Sequence, residues 1–247
     1  MLRLLAFAPA MGMISPSPFS VKSLALLEMS GLPYERVNGD PRRAPKRKLP
    51  VLDDAGRLVA DSHLIQAYLA RVHGFDPDAH LTDENRAVST AFRALVEDQL
   101  YWVLVYARWI DNPKVARDAF FATLPAPLRS AVFGIVRRQV RAALHGQGLG
   151  RHERAQVYRI GAEGVAALAE HLGDKPYFLG GRPSGIDTSL FGFLENVITP
   201  RLETPLKEAV MSYPKLVSYR DRFEAAQVPA LRDKAAQNAS GRTSRAM

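Results

Sequence analysis

The sequence predicts an α/β domain followed by an all-α domain, and three observations carry that prediction. The first 73 residues alternate short β-type runs with two helical segments. After a Gly/Pro-containing linker at Gly74-Phe75-Asp76-Pro77-Asp78, every periodic stretch is helical. Within that second half, Ser184-Gly185-Ile186-Asp187 opens an apolar run with the spacing of a capping box. The organisation expected is therefore residues 1–74 as one domain, 80–234 as an all-helical domain, and 235–247 as a disordered tail rich in Asn, Ser, Gly and Thr.

The elements of the first half follow in order. Leu2–Ala8 is apolar enough for a buried strand, and Leu4–Ile14 reads as that strand and its loop because only Arg3 precedes the run and Pro9 interrupts it, which argues against a secretion leader. Ser17-Pro18 starts a helix, serine as N-cap and proline at the first turn, and Gly31 stops it. Tyr34–Val37 is a second strand, parallel to the first because a helix connects them. Val51-Leu52, Asp53–Gly56 and Arg57-Leu58-Val59 read as strand, tight turn and strand. Asp61-Ser62 then opens a helix to His73 whose apolar residues Leu64, Ile65, Tyr68, Leu69 and Val72 recur at helical spacing.

In the second half Thr82 caps a helix with Asp83 and Glu84 in its first turn, where negative charge meets the positive end of the macrodipole. Val88, Phe92, Leu95, Gln99, Trp102 and Tyr106 continue it at spacings of four and three. Segments 125–144 and 153–172 are further helices. Ile186, Leu190, Phe193 and Val197 form the buried stripe of the helix begun at Ser184.

Composition narrows the function classes. The hydrophobic content of 47% and charged content of 23% suit a globular protein. No apolar run nears the roughly 20 residues needed to span a bilayer, so stable membrane insertion is not expected. The absence of cysteine excludes disulfides, thiolate metal sites and a cysteine nucleophile, and fits a cytoplasmic location. The net charge of +8 is dispersed apart from Arg42, Arg43, Lys46, Arg47 and Lys48, and no aromatics interleave that cluster, so a nucleic-acid platform is unsupported. The six histidines show no metal-binding spacing. Gly146, Gly148 and Gly150 follow a helix and lack the Lys-Ser/Thr of a phosphate loop, which leaves a helix–helix turn.

The most informative stretch is Lys48-Leu49-Pro50-Val51-Leu52 with Asp61-Ser62 beyond it. Pro50 cannot donate to a ladder and sits at a strand start, which leaves the backbone of Leu49 free to pair with a ligand. Asp61 and Ser62 bring a carboxylate, a hydroxyl and free N–H groups to a helix N-terminus. Together they read as a socket for a small peptide. The alternative is a helix cap and nothing more.

This pattern resembles the glutathione transferase superfamily. In that family such a Lys-x-Pro-x-Leu segment supplies a cis-proline and the backbone that pairs with the cysteine of glutathione, and an acidic-Ser pair holds the γ-glutamyl end. The resemblance implies a thioredoxin-like N-terminal domain followed by an all-helical glutathione-transferase-type C-terminal domain. It assigns Lys48, Leu49, Pro50, Asp61 and Ser62 to glutathione, and predicts a cis Leu49–Pro50 bond. It also implies a homodimer.

Ser17-Pro18-Phe19 is similar to the motif after strand one of serine-type transferases, which makes Ser17 the catalytic candidate. Its hydroxyl would donate to the glutathione sulfur while the helix dipole favours the thiolate. Ser15 and Ser20 are alternatives if the Met11–Pro16 loop shifts the register. No tyrosine precedes Tyr34, which disfavours a tyrosine mechanism.

The stretches His145–His152, Leu172–Gly180 and Phe191–Leu194 look like the branch related to metaxins and failed axon connections proteins. The resemblance spans about residues 1–230. It implies either glutathione thiolate transfer to an apolar electrophile, with glutathione as co-substrate and no covalent enzyme intermediate, or a noncatalytic binding module on the same fold. Trp102, Tyr106 and Trp109 are candidates for the electrophile cleft, or for core.

Overall fold

Strands Leu2–Ala6 (β1), Tyr34–Asn38 (β2), Val51–Asp54 (β3) and Arg57–Ala60 (β4) form one sheet in the order β2-β1-β3-β4. The computed structural model describes residues 1–234, so the expected tail at 235–247 lies outside the described residues. β1 pairs parallel with β2 and antiparallel with β3, while β3 and β4 make a hairpin through Ala55 and Gly56, both at positive φ (51° and 94°). That conformation matches the mirror-image turns preferred by two-residue hairpins. β1 stops at Ala6, two residues short of the expected end. Pro9 cannot extend a ladder, and the chain turns at Met11 and Gly12 (φ 54° and 77°).

Helices Pro18–Ser30 (α1) and Ser62–His73 (α2) follow β1 and β4, and each ends on a left-handed glycine, Gly31 and Gly74. The pleat sorts the sheet's side chains by parity. Leu2, Leu4, Ala6 and Leu52 join Val21, Leu24, Ile65 and Leu69 in one core, whereas Leu5, Val51 and Ala60 face Ala44 and Leu49 on the other side.

Beyond the linker come Asp83–Ala94 (α3), Tyr101–Tyr106 (α4), Pro113–Phe120 (α5), Ala126–Gln147 (α6), Arg154–Leu172 (α7), Gly185–Ile198 (α8), Pro205–Met211 (α9) and Pro214–Gln227 (α10). From Asp83 to Asp111 the helix is one run in which Leu95–Leu100 and Ala107–Asp111 are π-helical turns. Each inserts extra backbone per turn, a departure that a count of threes and fours cannot disclose. Gly148 and a short 3₁₀ turn at Leu149–Arg151 join α6 to α7, the helix–helix connection expected there.

Helix α8 is the centre. Every residue from Gly185 to Val197 is buried, with apolar residues on all sides. It lies so close to α1 that a Cβ on Gly192 would sit 2.4 Å from the Pro18 carbonyl oxygen. Its start is the predicted capping box. Asp187 accepts from Phe178 N (2.8 Å), Ser184 N (2.8 Å), Ser184 Oγ (2.7 Å) and Tyr219 Oη (2.6 Å). Burial pushes its carboxyl above the usual range, and the Phe178, Tyr219 and Ser184 donors pull it back. The core under the sheet also takes Phe191, Phe223, Val228 and Leu231 from the second half of the chain.

Candidate functional site

Topology brings the predicted residues to one sheet edge. β4 runs parallel to β1, because each is antiparallel to β3, so the carboxyl ends of β1 and β4 and the start of β3 share an edge. The N-termini of α1 and α2 therefore lie on that edge with Pro50 between them. The Asp61 N–H donates to the Pro50 carbonyl (3.4 Å), which ties two parts of the motif directly.

Leu49–Pro50 is cis. Among the described residues the Leu49 N–H and C=O take no protein hydrogen bond, while the Leu49 side chain is buried against Val51 and Ala60. Lys48 is exposed.

Asp61 caps α2, its carboxylate accepting the His63 N–H at 2.9 Å. Its backbone is the outlier among the described residues, at φ 104° and ψ 129°. Among the described residues three other non-glycine residues have positive φ, all near 50° in the ordinary left-handed well. A helix cap needs only extended backbone, as Ser17 and Thr82 show with φ of −111° and −69°. The Asp61 conformation costs on the order of 1–3 kcal/mol, and such strain gathers where a side chain must be presented to a ligand. Ser62 is buried directly behind it.

Ser17 caps α1 by accepting the Ser20 N–H at 3.3 Å. Because the oxygen accepts there, its O–H hydrogen stays available to a second partner. Ser17 is half-buried, whereas Ser15 is fully buried and donates to the Phe7 carbonyl (3.1 Å). Ser20 is also fully buried, with no partner for its hydroxyl among the described residues. Of the three serines, Ser17 alone is at the helix N-terminus with access to the edge.

The sequence did not point to the tie behind this edge. Lys22 of α1, its side chain 1% exposed, donates to Glu97 at 2.7 Å, and Ser189 of α8 donates to the same oxygen at 2.7 Å. Arg93 stands 3.9 Å from the other oxygen. His63, next to Ser62, is held below the usual histidine range by burial and then by Arg93 and Lys22. The one available signal was a lysine on a helix otherwise buried all round. The space beside this tie, among Pro18, Phe19, Lys22, Glu97 and Tyr101, holds only about 10 Å³.

A cavity of about 480 Å³ lies at the opposite end of α1, bordered by Met29, Phe75, His80 and Arg182, away from the predicted edge. Trp109 stacks on Phe133 (5.8 Å) in an aromatic group with Phe120, and Trp102 and Tyr106 pack on the helical core. Among the described residues no group of His, Asp and Glu is placed to hold a metal ion, and no helix is long and apolar enough to cross a membrane.

Residues 18–114 match the glutathione S-transferase N-terminal domain family, and residues 161–223 match the glutathione S-transferase C-terminal domain family. The chain belongs to the glutathione transferase superfamily.

Among its relatives, the isoprene-epoxide–glutathione S-transferase of Rhodococcus sp. strain AD45 is 29% identical over 232 residues, covering 90% of this chain and 98% of that one. Failed axon connections of Drosophila melanogaster is 30% identical over 85% of this chain, which spans only 54% of that protein. Human metaxin-2 is 24% identical, with 86% and 82% covered. Among solved structures, the β-etherase LigF of Sphingobium sp. strain SYK-6 superposes with a TM-score of 0.70 at 20% identity, covering 94% and 99%. A Methylobacterium radiotolerans glutathione S-transferase in complex with glutathione sulfonate gives 0.62 at 22% identity, covering 94% and 93%. These two likenesses establish the transferase fold, a small mixed sheet followed by helices.

Proposed function

We propose that this transferase-superfamily protein binds glutathione at the edge formed by Lys48, Leu49, Pro50, Asp61 and Ser62, and uses Ser17 to stabilise its thiolate. The observation that carries the reading is the φ of 104° at Asp61, a strain that capping alone does not require. The free backbone of Leu49 would pair with the cysteinyl residue of glutathione. The α2 N-terminus and the Asp61 carboxylate would hold the γ-glutamyl end, whose carboxylate and ammonium call for N–H donors and an anion respectively.

The Ser17 hydroxyl and the α1 N-terminus then favour the sulfur anion. A free thiol near pKa 8.5 is mostly protonated at neutral pH, so a drop of about one unit multiplies the nucleophile several-fold. The thiolate attacks an electrophilic carbon of an apolar substrate, forming a C–S bond as the leaving group departs with the electron pair. The name of the Rhodococcus relative suggests an epoxide, in which case the C–O bond opens and the alkoxide takes a proton from water. The protein positions and stabilises, without a covalent intermediate. The absence of cysteine accords with a cytoplasmic setting.

A second reading, a noncatalytic binding module, is favoured by the failed axon connections and metaxin relatives. Titration of glutathione by calorimetry, thiolate absorbance in the ultraviolet, and a conjugation assay decide between them. Ser17→Ala is expected to keep glutathione affinity while raising the bound thiol midpoint and slowing conjugation. Loss of a well-placed donor to a developing anion costs about 3 kcal/mol, and less at a soft sulfur. Asp61→Ala is expected to weaken affinity more than the rate at saturation. Binding without thiolate below pH 8 and without turnover would leave the binding module standing; no binding would refute the socket.

A further inference from the structure

The loop between β1 and α1, which delivers Ser17, is gripped along its length. Arg36 Nη2 donates to the carbonyls of Phe7 (2.9 Å) and Ile14 (2.8 Å), and Glu195 accepts the Ile14 N–H (3.2 Å). Asn196 Nδ2 donates to the Ser15 carbonyl (3.1 Å). At the residue before Ser17 the grip passes to Arg108, whose Nη1 donates to the Pro16 carbonyl at 2.8 Å. Its Nη2 reaches the Asn196 carbonyl (3.1 Å), Asn196 Oδ1 (3.2 Å) and Met13 Sδ (3.6 Å). One guanidinium thus joins the helical half, the last turn of α8 and the Ser17 loop.

Arg108 is an expensive way to do this. It is 5% exposed, and among the described residues its Nε has no partner and no carboxylate lies within ion-pair distance. Its surroundings are the Phe120 ring face at 5.8 Å, the Met13 sulfur, the Asn196 side-chain oxygen and the carbonyls of Pro16 and Asn196. The carboxylate of Glu195, the residue before Asn196, is committed to Arg220, Arg232, Thr199 and the Ile14 N–H. Burial lowers the guanidinium only to about 10, so it remains charged at neutral pH. An uncompensated buried cation is normally disfavoured by several kcal/mol relative to a neutral residue. The sequence holds one against the carbonyl of the residue that precedes Ser17.

We infer that Arg108 is a positioning residue for thiolate formation: its fork fixes Pro16 against Asn196 so that Ser17 and the first turn of α1 face the sulfur, and its unbalanced charge adds to the field there. The inference rests on the Ser17 reading above. It is tested on the full chain by titrating the thiolate of bound glutathione in the parent, Arg108→Gln and Arg108→Lys, with glutathione affinity, kcat and KM measured alongside.

The Gln variant, lacking both charge and fork, should retain glutathione affinity within about threefold, because Leu49, Asp61 and Ser62 are untouched. Its thiol midpoint should rise by about one unit, cutting thiolate at pH 7 by roughly tenfold, with kcat falling in step. The Lys variant keeps the charge but cannot span Pro16 and Asn196 together, so its midpoint should rise by about half as much. A purely architectural arginine would lower the melting temperature and leave the midpoint alone. An unchanged midpoint in Arg108→Gln, or in Arg108→Lys if the Gln variant does not fold, overturns the inference while the Ser17 reading stands. A parent without bound thiolate overturns both.

Discussion

Asp187→Ala is the substitution whose cost the structure lets one work out. The side chain accepts from Phe178 N, Ser184 N, Ser184 Oγ and Tyr219 Oη, all within 2.6–2.8 Å and all buried. The serine hydroxyl can rotate to another acceptor, but the two N–H groups and the tyrosine O–H cannot move without moving α8, the loop before it or α10. Three stranded donors at about 1–3 kcal/mol each give a gross cost of roughly 3–9 kcal/mol. Part of that returns, because burying the carboxylate was itself unfavourable, as its upward pKa shift records, and water can enter the vacated space. A net loss of about 4 kcal/mol is expected, several times the ~1 kcal/mol of an exposed N-cap. Asp187→Asn should lose only about 2 kcal/mol, since its oxygen can still serve Phe178 N and Tyr219 Oη while its amide opposes only the Ser184 N–H. Urea unfolding followed by circular dichroism measures both. An alanine variant within 1 kcal/mol of the parent, or equal costs for the two variants, would refute the idea that this carboxylate organises four donors at once.

Two further outcomes follow from the packing. Gly192→Ala should push the α1 N-terminus off α8, since the new Cβ would meet the Pro18 carbonyl oxygen at 2.4 Å; a raised midpoint for the bound glutathione thiol together with a fall in melting temperature is expected, and a variant with both unchanged would contradict it. His171, between the rings of Phe92 (4.5 Å) and Phe178 (4.7 Å), has its pKa lowered by burial and then by Lys175. Its folded pKa lies below the unfolded value of 6.5, so its contribution is present above about pH 6.5 and is lost as pH falls through the folded value. His171→Phe should therefore flatten the loss of urea resistance between pH 7.5 and 5.5, and parallel curves for the two proteins would exclude the mechanism.

What the sequence discloses about this protein depends on sequence distance. Ser17 with Ser20, Asp61 with His63 and Ser184 with Asp187 are contacts between residues two or three apart, and caps of that kind are written locally. Strand parity is equally local, and the hairpin at Ala55-Gly56 falls where the turn residues put it. By contrast, Lys22 meets Glu97 across 75 positions, and Arg108 meets Pro16 across 92. A single charged residue on an apolar helix advertises a partner without naming it. The π-helical turns hide for a different reason, since Leu95–Leu100 has the composition of any amphipathic helix. The positive φ of Asp61 hides because aspartate is an ordinary cap residue, and its dihedral angles are not written in its residue type.

The core beneath the sheet has a thermodynamic consequence. Leu4, Val21, Leu24 and Ile65 are packed with Phe191, Phe223, Val228 and Leu231, so a chain severed at the Gly74–Asp78 linker would present the apolar surface those four residues now cover. Each such side chain contributes about 1.5–3 kcal/mol when fully buried, a sum comparable to the whole stability of a small domain. The halves that topology separates are therefore one cooperative unit. Slow-exchanging amides of β1 and α1 would open only with global unfolding, and during synthesis the sheet would have to wait for residues as late as Leu231 before its core could close.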